Sequence, residues 1–197
     1  EAREARASRE VVVSGGSINS PKLLELSGIG QPELLASHGI KCLHELPGVG
    51  ENLRDHYSPR VKFAITEKNA TFNDNARGWR LVREVLKYGL FKTGFLASTS
   101  VPIRLYFRTR EGLETPDATI SVLPFIYEMI GRERRIAKQA GITMNVNVLR
   151  SESIGDIHIK SADPAAPPAI RFNFLSSPHD RDGLLAAMRK GRELMAS

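Results

Sequence analysis

The chain has 197 residues, of which 41% are hydrophobic and 25% charged, a composition typical of a folded globular protein rather than a disordered one. Its 28 Lys and Arg against 22 Asp and Glu give a net charge of +6, but the basic residues are scattered, so no nucleic-acid partner is predicted. One cysteine excludes an intrachain disulfide, and no apolar run reaches the ~20 residues of a transmembrane helix. We expect a cytoplasmic protein, with peripheral membrane association left open.

The first part of the sequence predicts a strand that turns directly into a helix. Glu10–Ser14 is a Val-rich run that stops at Gly15-Gly16, which favours a buried strand followed by a tight turn. Ser20-Pro21 has the pattern of a helix start, with Ser as N-cap and Pro at the first helical position. The other elements predicted here are a short helix from Pro32 to His38 and a strand over 40–46.

The remaining sequence is richer in strand patterns. Alternating or continuous apolar runs predict strands over 61–65, 101–107, 118–123, 142–149, 156–159 and 169–172. Apolar residues at helical spacing predict a helix over 79–88 and a last helix that begins at Ser177-Pro178. The polar and basic residues 127–141 are predicted to form a helix or an exposed loop. Irregular strand spacing favours an α+β fold, a mixed sheet with helices.

The Gly15-Gly16 corner has two possible roles. Glycines expose backbone N–H groups, and the helix N-terminus beyond them adds a positive dipole end, so the corner suits the phosphate or ribose part of a dinucleotide. Strand–glycine–helix corners without any ligand are also common. From these residues alone, the structural role is the more frequent one.

Three ordered motifs resemble the glucose–methanol–choline (GMC) oxidoreductase family. The run from Ser14 to Gly30 is similar to the second family signature, with a small-residue pair, Ser-Pro, two aliphatics and Ser-Gly-Ile-Gly. The segment Leu46–His56, with the sequence LPGVGENLRDH, resembles the motif that follows it in the family, and residues 161–175 resemble a late block of the substrate-binding domain. Their order and separation make a chance match improbable.

The resemblance implies FAD as cofactor and a division of the chain into three parts. Residues 1–56 would be a partial FAD-binding α/β segment, 57–176 the substrate-binding domain, and 177–197 a helix that leads back toward a C-terminal part. The implied cofactor-binding residues are Ser14, Gly15, Gly16, Asn52, Asp55 and His56. For the last three, a helix cap and a core histidine are the structural alternatives. The histidine spacing predicts no metal site.

The activity implied is oxidation of the CH–OH group of an alcohol, with hydride transfer to flavin. The family's G-x-G-x-x-G turn and its C-terminal His–His or His–Asn pair are not in this sequence. We therefore assign no catalytic residue and expect the chain alone to be inactive and to bind FAD weakly. Its partners would be an alcohol substrate and the missing N- and C-terminal parts of the same enzyme. The alternative is a non-catalytic binding module that reuses the fold.

The substrate is not expected to be choline. In choline-oxidising members, a glutamate follows the Asp-His motif after one residue, whereas here Asp55-His56 is followed by Tyr57 and Ser58. A serine hydroxyl supplies no charge for a quaternary ammonium group. We expect an uncharged alcohol in a pocket whose candidate residues are Ser58, Phe63, Val101, Leu123 and Phe125, although each apolar one also fits an ordinary core.

Overall fold

The computed structural model describes residues 4–67 and 69–196 and has an α+β architecture, as the sequence predicts. The helices are α1 (Gly16–Leu26), α2 (Pro32–Ser37), α3 (Phe72–Asn75), α4 (Gly78–Phe91) and α5 (Pro178–Ala196), with a 3-10 turn at Phe95–Ala97. The strands are β1 (Ile29–Gly30), β2 (His44–Glu45), β3 (Arg60–Ala64), β4 (Ile103–Phe107), β5 (Ala118–Leu123), β6 (Tyr127–Ile130), β7 (Glu133–Ile136), β8 (Gly141–Val148), β9 (Asp156–His158) and β10 (Ala169–Arg171).

The described chain forms two compact units. Residues 1–55 and 153–174 make up unit 1, and residues 56–152 and 175–197 make up unit 2. The predicted division placed residues 153–174 in the segment 57–176, whereas in the structure they lie in one unit with the N-terminal part. There, β9 contacts α1, and Gly155 forms a β-bridge with Leu53. That any unit is an FAD-binding or substrate-binding domain stays a prediction.

Unit 1 combines short helices with two small sheets. Strands β1 and β2 pair in parallel, and β9 and β10 pair antiparallel. Helix α1 ends at a turn in which Gly28 adopts a φ of +80° and its backbone carbonyl accepts hydrogen bonds from Leu43 and His44. A Cβ on Gly28 would lie against the Lys41 carbonyl oxygen, so glycine is required where the chain leaves α1.

The strand predicted over residues 10–14 does not form. Val11 and Val12 are 78% and 76% exposed, and no described strand pairs with this segment. A Val-rich run becomes a buried strand only when neighbouring strands complete its hydrogen bonds. The helix start is also corrected: α1 begins at Gly16 rather than at Ser20, and Pro21 lies inside it, where it cannot donate a backbone hydrogen bond.

Unit 2 is built on a four-stranded antiparallel sheet with the order β3-β8-β5-β4. Side chains alternate between the two faces of each strand. The apolar face, which includes Ile120, Met144 and Val146, packs against α5 through Leu184 and Ala187 and forms the core of the unit. Strands β5 and β8 and helix α5 lie within one residue of their predicted limits.

Residues 127–136 form an antiparallel hairpin, β6–β7, rather than a helix or a loop. Gly131 adopts a φ of +62° between the strands and makes the tight turn possible. All four β7 residues and most of β6 are exposed, so the segment lacks the apolar alternation that signals a strand. Across the described residues, no helix is long and apolar enough to span a membrane.

Candidate functional site

A cleft in unit 1, here called the α1 cleft, has a volume of about 690 Å³. One wall is α1, which contributes Ser17, Ser20 and Leu24, and the other is the turn over residues 46–54. Hydroxyl groups from α1, the amide of Asn52 and the guanidinium of Arg54 give this cleft several hydrogen-bond donors. Such donors suit phosphate and ribose oxygens.

The predicted cofactor residues are distributed over both units. Ser14, Gly15 and Gly16 are exposed and come directly before Ser17, at the N-terminus of α1, and Asn52 lines the α1 cleft. Asn52 adopts a φ of 62°, a conformation that Asn accepts more readily than most residues. Asp55 ends the first segment of unit 1.

His56 belongs to unit 2, where its Nε2 lies 3.0 Å from the carbonyl oxygen of Leu149. This contact holds the imidazole against the end of strand β8. His56 is nevertheless exposed, so it is not a core histidine, and its contact with a cofactor stays a prediction.

A Glu–His–Glu chain that runs from the buried Glu25 to the exposed Glu51 supports the α1 cleft, and no sequence pattern predicts it. The carboxyl group of Glu25 is fully buried, accepts a hydrogen bond from the Ile159 backbone N–H at 2.8 Å, and lies 2.6 Å from His158 Nδ1. His158 Nε2 lies 3.2 Å from Glu51, whose carboxyl group also accepts a hydrogen bond from Gln31. Glu51 lines the cleft, so this chain fixes one of its walls to α1 and to the backbone after β9.

Gly50 allows that wall to approach closely. It adopts a φ of +81°, and a Cβ at this position would collide with the Ile157 carbonyl oxygen and the His158 ring. The Ile157 N–H donates to the Gly50 carbonyl oxygen at 2.7 Å. The GVG turn of the Leu46–His56 motif thus has a packing role beside α1.

The second candidate region is the face of the four-stranded sheet opposite the core, here called the polar face. Directly opposed residues share a face. The pairing register therefore aligns Arg60, Asn145, Ser121 and Arg104 in one row across all four strands. The Nε of Arg104 donates to Ser121 Oγ at 3.0 Å. The strand positions on this face include no acidic residue: they are Arg60, Lys62, Ala64, Arg104, Tyr106, Thr119, Ser121, Leu123, Gly141, Thr143, Asn145 and Asn147.

Two buried polar atoms at the polar face lack a partner within the described part of the chain. They are Asn145 Oδ1 and the hydroxyl of Tyr127. The Tyr127 ring lies 5.4 Å from the Arg60 guanidinium and 5.5 Å from Lys62 Nζ, which also donates to the Tyr127 carbonyl oxygen at 2.8 Å. Since buried polar atoms in folded proteins are nearly always bonded, both atoms mark a place where a ligand or water belongs.

The five predicted pocket residues do not share one wall. Phe63 is opposite Ile142, and Leu123 is opposite Thr143, so Phe63 and Leu123 point to opposite faces of the sheet. Phe63 packs against the core beneath α5, as strand alternation requires, and only Leu123 lies on the polar face. The remaining three, Ser58, Val101 and Phe125, are half-buried and lie outside the strands, with Phe125 stacked on Phe72.

The polar face is visible in the sequence of β8 itself. Thr143, Asn145 and Asn147 recur at every second position of β8, between Met144, Val146 and Val148. Such alternation predicts a strand with one face that does not pack in an apolar core. As for metals, the described residues contain no group of three or more His, Cys, Asp or Glu able to hold an ion.

Comparison with known proteins places this architecture in one family. Two family models, both described as GMC oxidoreductase, match residues 1–58 and 151–197. The chain belongs to the GMC oxidoreductase family, whose cofactor is FAD. It is 38% identical over 196 residues to an oxygen-dependent choline dehydrogenase of Chromohalobacter salexigens, a match that covers 98% of this chain and 34% of the relative. The corresponding protein of Xanthomonas euvesicatoria is 34% identical, with 100% and 35% covered.

Solved structures share the fold at lower identity. A formate oxidase superposes with a TM-score of 0.82 at 23% identity, over 95% of this chain and 37% of that one. An FAD-dependent oxidoreductase from Chaetomium thermophilum gives a TM-score of 0.75 at 21% identity, over 96% and 38%. The chain spans about a third of the length of the curated relatives that it matches.

Proposed function

We propose that the protein to which this chain contributes oxidises the CH–OH group of an alcohol to an aldehyde or ketone with FAD as the hydride acceptor. The observation that carries the proposal is the polar face of the unit 2 sheet, where Asn145 Oδ1 and the Tyr127 hydroxyl are buried without a partner in the described chain. An alcohol supplies a donor for the first and an acceptor for the second. Family membership supports oxidation as the reaction.

The residues of the α1 cleft fit part of an FAD molecule. Ser17, Ser20, Asn52 and Arg54 line one cavity with groups that can donate hydrogen bonds, and the carboxylate of Glu51, which also lines it, is already engaged by Gln31 and His158. We propose that this cleft, with Ser14, Gly15 and Gly16 at its helix start, holds a phosphate or ribose part of the cofactor. When bound, FAD supplies the acceptor for the hydride leaving the carbinol carbon. We assign no proton-accepting residue among the described residues.

The role of the polar face is to bind and orient the alcohol. Asn145 is held in the centre of the sheet between β3 and β5, and its side chain is therefore placed on a rigid element. Leu123 and Ser58 are proposed to contribute to the walls of the same site. Oxidation of choline itself is not part of this proposal, because the strand positions of the polar face carry cationic residues and no acid.

The cofactor proposal is tested with Asn52→Gly in the full-length enzyme. Glycine preserves the positive φ of Asn52 and removes only the side-chain amide. Loss of one hydrogen bond should raise the Kd of FAD by about 3- to 10-fold, measured by flavin fluorescence after removal of free cofactor. Asn173→Gly is the matched control, since Asn173 also has a positive φ of 50° and bonds to the Ile154 carbonyl oxygen outside the cleft.

The activity is tested by anaerobic reduction of the full-length protein with a panel of primary and secondary alcohols. We expect the visible absorbance of the flavin to decrease with at least one alcohol and to recover with an electron acceptor. A purified protein that retains FAD but is reduced by no alcohol would contradict the proposed reaction, and equal FAD affinity of Asn52→Gly and the wild type would contradict the proposed cleft.

A further inference from the structure

The row Arg60–Asn145–Ser121–Arg104 combines charged and neutral groups, and the charged ones are more than an alcohol needs for binding. Two guanidinium groups stand at the two ends of the row, and a neutral amide and a hydroxyl stand between them. An alcohol needs only the neutral groups. The charged ends are therefore available for a second group on the same ligand.

Arg104 is the better preorganised of the two cations. Its Nε is fixed by Ser121 Oγ at 3.0 Å, and Nη1 lies 3.5 Å from the Tyr106 hydroxyl on the same strand. A guanidinium held by one hydrogen bond keeps further N–H groups in a planar fork that matches a carboxylate. Arg60 contacts the face of Tyr127 and adds positive potential from the opposite edge.

The charged side chains at the strand positions of the polar face are all cationic. Lys62 and Arg134 join Arg60 around the Tyr127 ring, each at 5.5 Å from its centroid. None of the strand positions on this face is acidic. A cationic ligand would be repelled, a neutral ligand would leave the cations unused, and an anionic ligand would be attracted.

The strand spacing gives the approximate scale of such a ligand. Adjacent strands lie about 4.8 Å apart, so the backbones at Asn145 and Arg104, two strands away, are separated by roughly 10 Å. The long arginine side chain shortens the distance that a ligand must cover. A molecule with a hydroxyl at Asn145 and a carboxylate at Arg104 needs several atoms between the two groups.

We propose that the substrate is an alcohol that also carries a carboxylate, bound with its hydroxyl group at Asn145 Oδ1 and its carboxylate at Arg104. The inference rests on the proposed function, since it assigns the substrate class of the same site. Carboxylate and carbinol are separated by a spacer of the size of a benzene ring. The reaction is unchanged: with FAD bound, the carbinol carbon would give up a hydride and the hydroxyl oxygen would give up a proton to a base, while the carboxylate takes no part.

The test compares 4-(hydroxymethyl)benzoate with benzyl alcohol in the full-length enzyme. The two share the same carbinol and differ in the carboxylate. We expect kcat/KM to be about tenfold or more higher for the acid, mostly through a lower KM. Arg104→Gln should reduce kcat/KM for the acid by about 10- to 100-fold and change the value for benzyl alcohol by less than about threefold, and Arg104→Lys should restore part of the loss.

Arg189→Gln is the control for a general loss of positive charge, because Arg189 is exposed on α5, which covers the other face of the sheet. It should leave the preference for the acid unchanged. The inference is overturned if benzyl alcohol is oxidised as efficiently as the acid, or if Arg104→Gln lowers both substrates equally.

Binding of unreactive benzoate, measured by calorimetry, separates this inference from the proposed function. If no alcohol reduces the flavin, the proposed function fails, and the benzoate Kd still decides on the anion site. A Kd that rises about tenfold in Arg104→Gln supports the site, whereas an unchanged Kd or no benzoate binding overturns it.

Discussion

Glu25 in unit 1 is a fully buried side chain, and Asn145 in unit 2 is half-buried with a buried Oδ1 atom, but the surroundings of their polar atoms differ completely. Both carboxyl oxygens of Glu25 are engaged, one with the Ile159 N–H and the other with His158. Asn145 Oδ1 has no partner in the described chain, although Asn145 lies in the central part of a sheet. A satisfied buried group stabilises the fold, and an unsatisfied one reduces stability unless a ligand completes it. The comparison therefore distinguishes a structural network from a binding site.

The largest expected effect follows from breaking the satisfied network. Glu25→Ala leaves the Ile159 N–H and His158 without their buried acceptor and creates a cavity in α1. We expect the free energy of unfolding to fall by about 3–5 kcal/mol, measured by urea denaturation followed by circular dichroism.

Glu51→Ala is the matched control for that change, because Glu51 interacts with the same histidine from an exposed position. Its loss should reduce the free energy of unfolding by less than about 1 kcal/mol. Similar effects of the two substitutions would show that the burial of Glu25 is not what makes the network stabilising.

A second prediction concerns the polar face and the effect of its positive charge on substrate preference. The polar face and Ser58 offer no acid to a quaternary ammonium group, and Tyr57 contributes at most a cation–π contact of ~0.5–2 kcal/mol. We expect kcat/KM of the full-length enzyme for benzyl alcohol to exceed that for choline by at least about tenfold, or about 1.4 kcal/mol.

That prediction goes against the substrate named for the choline dehydrogenases that are 34–38% identical to this chain. Choline preferred by a factor of ten or more would show that the cations of the polar face point away from the substrate in the full-length enzyme. The control is 3,3-dimethyl-1-butanol, a neutral analogue of choline with the same shape, which should be preferred to choline as well.

The sequence predicted those elements whose pattern arises from contacts within the chain. Strand β5 and helix α5 bury their apolar positions against each other, so alternation and helical spacing located both. Residues 10–14 have the same β-branched character but no described strand beside them, and they are exposed without regular secondary structure. A pattern of apolar residues shows what a segment tends to bury, but it does not show whether a neighbour is present.

The candidate sites were predicted in part, for a similar reason. Motif resemblance singled out Ser14–Gly16 and Asn52, because each motif is a continuous run of sequence, and their contact with a cofactor stays a prediction. The Glu25–His158 pair joins positions 133 residues apart, and the row from Arg60 to Arg104 depends on the register of four strands. Phe63 was assigned to a pocket and lies in the core, because hydrophobicity alone does not say which face of a strand is buried.

The smallest expected effect tests whether the second orphan atom is truly without a partner. Tyr127→Phe removes the buried hydroxyl and keeps the ring that lies beside Arg60, Lys62 and Arg134. Because no hydrogen bond is lost within the described chain, the free energy of unfolding should change by less than about 0.5 kcal/mol, and a small increase is consistent with removal of an unsatisfied group. Thr143→Val is the comparison: Thr143 is fully buried, whereas Tyr127 is half-buried with a buried hydroxyl, and the Thr143 hydroxyl donates to the Phe125 carbonyl oxygen at 2.8 Å, so its loss should reduce the free energy of unfolding by about 1–2 kcal/mol. Urea denaturation without substrate measures both. A loss of more than about 1 kcal/mol in Tyr127→Phe would show that this hydroxyl is already satisfied in the free protein, and the case for a ligand at the polar face would then rest on Asn145 alone.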